Sequence, residues 1–276
     1  MKKTAFVLFS LIVVLNGYAQ DEYPLQRSLQ PIDSLQVEVS YDVTLSYTNN
    51  HQNCTQKDKM YTLIGKNVCR SYVEREWKSQ LGLTRSYEEN GKRGSKATGG
   101  LYTNYGDVFI NYPTGRTTVI YDMDAAGSYL YEEKTPKEMW TIDKERKTVL
   151  GYACESATCN FRGRDYKVWF SSDIPLSYGP WKLGGLPGLI LEAETADSCY
   201  HFIATGLEKK KGNVTFWKRD FVKSTREKTL KQEAQLFKDP GSFLEPYGVT
   251  FLAKNMLTGK MVKLSYFAFY YPLEKK

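Results

Sequence analysis

The stretch that most restricts what this chain can fold into runs from Phe161 to Glu192 and reads F-R-G-R-D-Y-K-V-W-F-S-S-D-I-P-L-S-Y-G-P-W-K-L-G-G-L-P-G-L-I-L-E. Its ends, Arg164 to Ser171 and Leu189 to Ala193, are rich in β-branched, aromatic and aliphatic residues and predict strands. Between them, Pro175, Pro180 and Pro187, with glycines at 179, 184, 185 and 188, prevent a helix or a strand ladder from running through. The same connection carries Ile174, Leu176, Tyr178, Trp181, Leu183 and Leu186. Leaving each such side chain in water forfeits roughly 1.5 to 3 kcal/mol, so a packed loop is expected rather than a solvated one. Long connections without regular structure are functional or disordered, and this composition argues against disorder.

Gly185-Leu186-Pro187-Gly188-Leu189-Ile190, preceded by Gly179-Pro180-Trp181-Lys182, resembles the signature of the GLPGLI family of secreted proteins from Bacteroidetes. Tyr152-x-Cys154, Ala157-Thr158, Phe161-Arg162-Gly163-Arg164, Trp169 and Asp173-Ile174-Pro175 fit the same pattern, which is densest from Tyr152 to Glu194. The closing Tyr271-Pro272-Leu273-Glu274 agrees more loosely. That family has no established activity, so the resemblance implies location and shape. Its core is similar to LolA-type lipoprotein carriers, which implies a strongly curved antiparallel sheet or incomplete barrel around an apolar cavity. Such a fold-level analogy carries no function by itself.

Lys2 and Lys3, the apolar run Ala5 to Leu15 and the small residues around Gly17-Tyr18-Ala19 read as a secretory signal over residues 1–19. Residues 20–36 are polar and without period, and read as an N-terminal arm. Residues 37–276 read as a single β-rich domain with the motif core at 148–207. No later stretch is long and apolar enough for a helical membrane span. An exported protein of the periplasm or cell surface is therefore expected. The strands are too short and too charged for a small outer-membrane barrel.

Val37, Val39, Tyr41, Val43, Leu45 and Tyr47 alternate with polar partners and predict the first strand. About a dozen strands follow by the same reading. The segment from Glu74 to Leu83 has some helical character, and glycines at 91, 94, 99 and 100 make an irregular segment up to Thr103. One late helix is expected, with Ser224 and Glu227 as a capping box, Leu230, Ala234 and Phe237 on one face, and Asp239-Pro240-Gly241 at its end. Together these predict a mainly β, curved antiparallel sheet with one late helix.

The formal charge of +7 is a mild excess, and Lys209-Lys210-Lys211 reads as a soluble hairpin turn. No basic stripe with interleaved aromatics points to nucleic acid. Cys54, Cys69, Cys154, Cys159 and Cys199 are disulfide candidates in an exported chain, with Cys154 and Cys199 the preferred pair. Asp33-Ser34-Leu35 matches a short O-glycosylation motif of the same bacteria.

Chemistry is thinly represented. The chain has two histidines, and none of the G-x-S-x-G, H-E-x-x-H, C-x-x-C or P-loop patterns. Cys199 with His201 supplies two metal ligands at most, too few for a site, so no metal or cofactor is expected. Arg162, Arg164 and Lys182 are candidates for a carboxylate or phosphate, against a plainer reading in which Arg164 pairs with Glu192 or Glu194 and Arg162 is solvated. Trp169, Tyr178, Trp181, Leu183, Leu186 and Leu189 either plug the core or line a ligand pocket at the mouth of the sheet. The function expected is a binding or carrier protein for an amphiphilic or peptide-like ligand, with an outer-membrane protein as a possible partner. The alternatives are an interaction module without a small ligand and a hydrolase using Cys199 or Asp173.

Overall fold

The computed structural model describes residues 9–15, 28–49, 52–80, 105–136, 140–255, 261–263 and 270–275. Strand β1 (Phe9–Leu15) stands apart with β14 (Val249–Asn255) and β15 (Met261–Lys263) in a three-stranded sheet. The main sheet is built from β2 (Ser28–Asn49), β3 (Gln52–Gly65), β4 (Cys69–Val73), β5 (Asp107–Ile110), β6 (Arg116–Asp122) and β7 (Ser128–Lys134) as one run. A second run holds β8 (Thr141–Val149), β9 (Tyr152–Phe161), β10 (Arg164–Ser171), β11 (Leu189–Thr195), β12 (Tyr200–Lys218) and β13 (Val222–Lys223). The order is β13-β7-β6-β5-β4-β3-β2-β12-β11-β10-β9-β8, antiparallel except where β13 joins β7. The long β2 and β12 pair from Tyr200↔Leu45 to Lys218↔Ser28 and fuse the two meanders.

This order forces the sheet to curl. β7 and β8 lie at opposite ends of the antiparallel run, ten strand spacings apart, which is about 48 Å in a flat sheet. Only residues 135–140 connect them, and seven extended steps reach about 25 Å. The two ends must therefore approach each other, giving the incomplete barrel. Its concave face takes one parity of each strand: Tyr41, Val43 and Leu45 from β2, Val168 and Phe170 from β10, Phe202 from β12, all 0 to 1% exposed. The opposite parity, such as Asp42 and Glu194, faces water. The edge strand β8 is guarded by the charged run Asp143-Lys144-Glu145-Arg146-Lys147, which discourages pairing with another chain.

Several expectations need correction. Ser28 to Leu35, read as part of an arm, is already strand and pairs with β12. Asp33 in the supposed glycosylation motif is structural: its carboxylate accepts from the backbone of Ser34, Asn67 and Val68 and closes the β3–β4 turn. Residues 74–80 form a helix, α1, and the rest of the expected irregular segment lies outside the described residues, as does most of residues 1–27. The late helix, α2 (Arg226–Lys238), is capped by Thr225 rather than Ser224, the Thr225 hydroxyl accepting from Lys228 N at 3.3 Å. Its buried face is Thr229, Glu233, Leu236 and Phe237, so an acid sits where Ala234 was expected. A short α3 (Pro240–Leu244) follows. Among the described residues no disulfide joins the five cysteines, Cys154 and Cys199 included. No helix of the described residues is long and apolar enough to cross a membrane.

Candidate functional site

The motif loop is folded into the core. Tyr178 and Gly184 form a bridge, Gly185 N donates to Ser177 O at 3.1 Å, and Ile190 N donates to Tyr178 O at 2.9 Å. Gly188 is obligatory for close approach: a Cβ there would lie 2.1 Å from the backbone oxygen of Ser171. Trp181, Leu183 and Leu189 are 0% exposed and Leu186 2%, and the Trp181 ring meets Phe161 edge-on at 5.8 Å. Tyr178 is half-buried.

Trp169 lies elsewhere. It shares the outer face with Lys167, opposite Ser156 and Glu192 in the neighbouring strands. Lys147 and Lys167 cover its ring, with ammonium groups 4.3 and 5.2 Å from the centroid. Beside it, Glu192 bonds Lys147 at 2.7 Å and His201 Nε2 at 3.0 Å. Burial pushes the Glu192 carboxyl up, but these two hydrogen bonds outweigh it and hold the group below its ordinary value. The His201 pKa is raised, chiefly by that bond to Glu192. Histidine here is a charge partner of a carboxylate, and Cys199, whose thiol burial pushes up, is no ready nucleophile. Asp173 is exposed in the turn after β10.

The three anion candidates are engaged internally. Arg164 bonds Asp197 at 2.5 Å and the backbone oxygens of Pro272 and Leu273, not Glu192 or Glu194. Arg162 bonds Glu133 at 2.6 Å. Lys182, 3% exposed, bonds Glu133 at 2.8 Å, Tyr131 Oη at 2.9 Å and the Glu274 carboxylate, which Arg226 of α2 also holds. Burial raises the Glu274 carboxyl, yet Lys182 and Arg226 outweigh it and keep it below its ordinary value. These groups come from β7, the β9–β10 turn, the motif loop, α2 and the C-terminal tail. They tie the two ends of the curled sheet together, and Trp140 Nε1 donating to Gly184 O at 2.7 Å adds to the seam.

Among the described residues, a groove of about 650 Å³ opens to solvent on the outer face, next to the edge strand. Asn160, Asp165, Lys167, Glu194 and Ser198 line it, with Thr141 and Thr158. Asn160 donates to Asp165 at 2.7 Å, and Glu145, from the irregular stretch of β8, reaches over to Lys167 at 2.8 Å. The groove is open and polar, and its lining offers donors and acceptors side by side. Sequence reasoning missed it because its residues are ordinary surface polars of four strands. The alternation that places Asp165 and Lys167 on one face was legible, but which strands meet was not. Among the described residues no cluster of three or more histidine, cysteine or carboxylate groups stands ready for a metal.

Comparison with known proteins places the fold. Residues 120–232 match the family model described as N-glycanase peptide, N-terminal domain, over less than half of the chain. The solved structure of PNGF-II in its P21 crystal form is 13% identical and superposes with a TM-score of 0.50, covering 72% of this chain and 33% of that one. Its C2 form gives 12% and 0.49, covering 72% and 32%. The chain thus spans about a third of the length of PNGF-II, and the likeness shows the fold alone. A structure described as a putative outer membrane lipoprotein-sorting protein domain from Vibrio parahaemolyticus is 8% identical with a TM-score of 0.22, covering 65% of this chain and 87% of that one. No curated protein matches the chain.

Proposed function

We propose that this chain is an exported binding protein for a peptide-like ligand, held on the outer face of the curled sheet. The observation that carries the reading is the groove of about 650 Å³ between the irregular part of β8 and the β11–β12 turn. An extended peptide presents alternating N–H and C=O groups, and Asp165, Glu194, Asn160, Lys167 and Ser198 offer partners for both. The leader reading of residues 1–19 supports export, and the GLPGLI resemblance supports a periplasmic or surface location. A periplasmic carrier would pass its ligand to an outer-membrane protein. The motif loop supports the scaffold rather than the ligand, since its large side chains pack into the core.

The test is native mass spectrometry of the protein purified from its own cell envelope. A stoichiometric peptide, lost from Asp165→Asn with Glu194→Gln, is the expected result. An empty monomer would overturn it.

The match to an N-terminal domain favours a second reading, an interaction module that works beside another protein. In PNGF-II a similar fold occupies one part of a longer chain. Under this reading the same purification yields a partner protein and no small ligand.

A further inference from the structure

The segment 270–275 is held in the manner of a bound peptide. It is neither strand nor helix, and its backbone is taken up by side chains and one turn carbonyl instead of a ladder. Tyr200 Oη donates to Tyr271 O, Arg164 donates to Pro272 O at 2.6 Å and to Leu273 O at 3.1 Å, and Lys275 N donates to Arg162 O at 2.9 Å. Leu273 packs into the apolar core. The Glu274 side chain, fully buried, enters a pocket built by the motif loop, β7, the β9–β10 turn and α2, where Lys182, Tyr131 and Arg226 donate to it. This pocket has donor capacity that Glu274 does not use: Arg162 Nε is buried without a hydrogen-bond partner, 4.0 Å from the Glu274 carboxylate. Withdrawing Glu274 would leave Lys182 and Arg162 sharing Glu133 as their one carboxylate among the described residues.

We propose that this is a recognition site for an acidic peptide segment of a partner protein, filled here by the chain's own residues 271–275. The segment it takes has the chemistry already docked there, an apolar residue followed by a glutamate. Apolar packing would hold a purely structural strap as well as a buried ion cluster does, because desolvation offsets most of the attraction between the charges. What the charges add is discrimination: a segment with a neutral residue in the glutamate position leaves buried cations unpaired and is rejected. Undocking breaks no strand ladder and no helix, so the segment can leave while the sheet keeps its hydrogen bonds. Its tether keeps it at an effective concentration of about millimolar order, so the site is autoinhibited and admits a partner only in competition. The same contacts close the seam, which couples occupancy of the site to closure of the sheet. None of the residues that hold the segment lines the groove.

The test uses the full chain and two capped peptides, acetyl-Tyr-Tyr-Pro-Leu-Glu-Lys-Lys-amide and the same peptide with glutamine for glutamate. Binding is followed by fluorescence anisotropy for the wild type and for Glu274→Gln, whose own segment is weakened as a competitor. Glu274→Gln is expected to bind the glutamate peptide about thirtyfold more tightly than the glutamine peptide. It is expected to bind the glutamate peptide about tenfold more tightly than the wild type does. Hydrogen–deuterium exchange at residues 270–275 of the wild type should accelerate when the glutamate peptide is added in excess and stay unchanged with the glutamine peptide. Equal binding of the two peptides, no binding to Glu274→Gln, or binding that leaves exchange at 270–275 unchanged, as capture in the groove would, each overturns the proposal. Should Glu274→Gln fail to fold, the exchange comparison of the two peptides on the wild-type chain decides it.

Discussion

Two buried polar regions of this molecule are made of similar groups and are balanced in opposite ways. At the seam, Lys182, Arg162 and Arg226 surround Glu133 and Glu274, so each carboxylate has a cation within hydrogen-bond reach. Under α2, Glu233 is buried among tyrosines with Glu76 and Glu274 as its charged neighbours. The first arrangement lowers a carboxyl pKa and the second raises one. Complete pairing marks a structural device that holds a curled sheet shut. Burial beside other acids marks a place where ionisation is disfavoured.

Removing one partner at the seam should have the largest effect. Lys182→Met leaves Glu274 and Glu133 short of a counter-charge, and loss of about 3 to 5 kcal/mol is expected in urea unfolding. A change below about 1 kcal/mol would show that the seam does not hold the ends together. Gly188→Ala should come next, costing about 3 kcal/mol, because the new methyl meets the Ser171 carbonyl, which is backbone and cannot turn aside. Normal thermal stability in that variant would contradict the packing described for the loop.

The pH dependence separates the regions by sign. Glu274 has a lowered pKa, so its stabilisation is present above the ordinary carboxylate range and is lost as pH falls through its folded value. Glu233 has a raised pKa, so its favourable term is present below that range and is lost as pH rises through its folded value. Unfolding free energy measured from acid to alkaline pH should fall at both ends. Glu274→Gln should remove part of the acid limb, and Glu233→Gln part of the alkaline one. The smallest effect belongs to the groove, where Asp165→Asn with Glu194→Gln should alter stability by less than about 0.5 kcal/mol.

The packed loop was legible because six large apolar residues cannot stay in water, and the strands were legible from alternation along Val37 to Tyr47. The curl was legible from the dozen short strands and the fold resemblance, and the short 135–140 connection between strands at opposite ends supplies its physical reason once the strand order is known. Nothing local announces the seam: Lys182 is 49 residues from Glu133 and 92 from Glu274. Arg162, Arg164 and Lys182 therefore stayed candidates for an anion site beside the plainer reading of cross-strand pairing and solvation. Glu233 could have been found, since Thr229, Glu233, Leu236 and Phe237 recur at helical spacing and the acid sits in the middle of the buried stripe. The cysteines misled because export predicts disulfides, whereas pairing needs side chains brought face to face.

The most direct measurement makes the same substitution, glutamate to glutamine, at the two positions and compares their unfolding free energies at pH 7. Glu274→Gln is predicted to lose about 3 kcal/mol, because the ionised, paired form is the one the seam requires. Glu233→Gln is predicted to lose nothing or to gain stability, because burial disfavours the ionised acid in the folded state while the unfolded chain carries it ionised at pH 7, a cost the amide does not have. Equal losses at the two positions, or the larger loss at Glu233, would contradict the account.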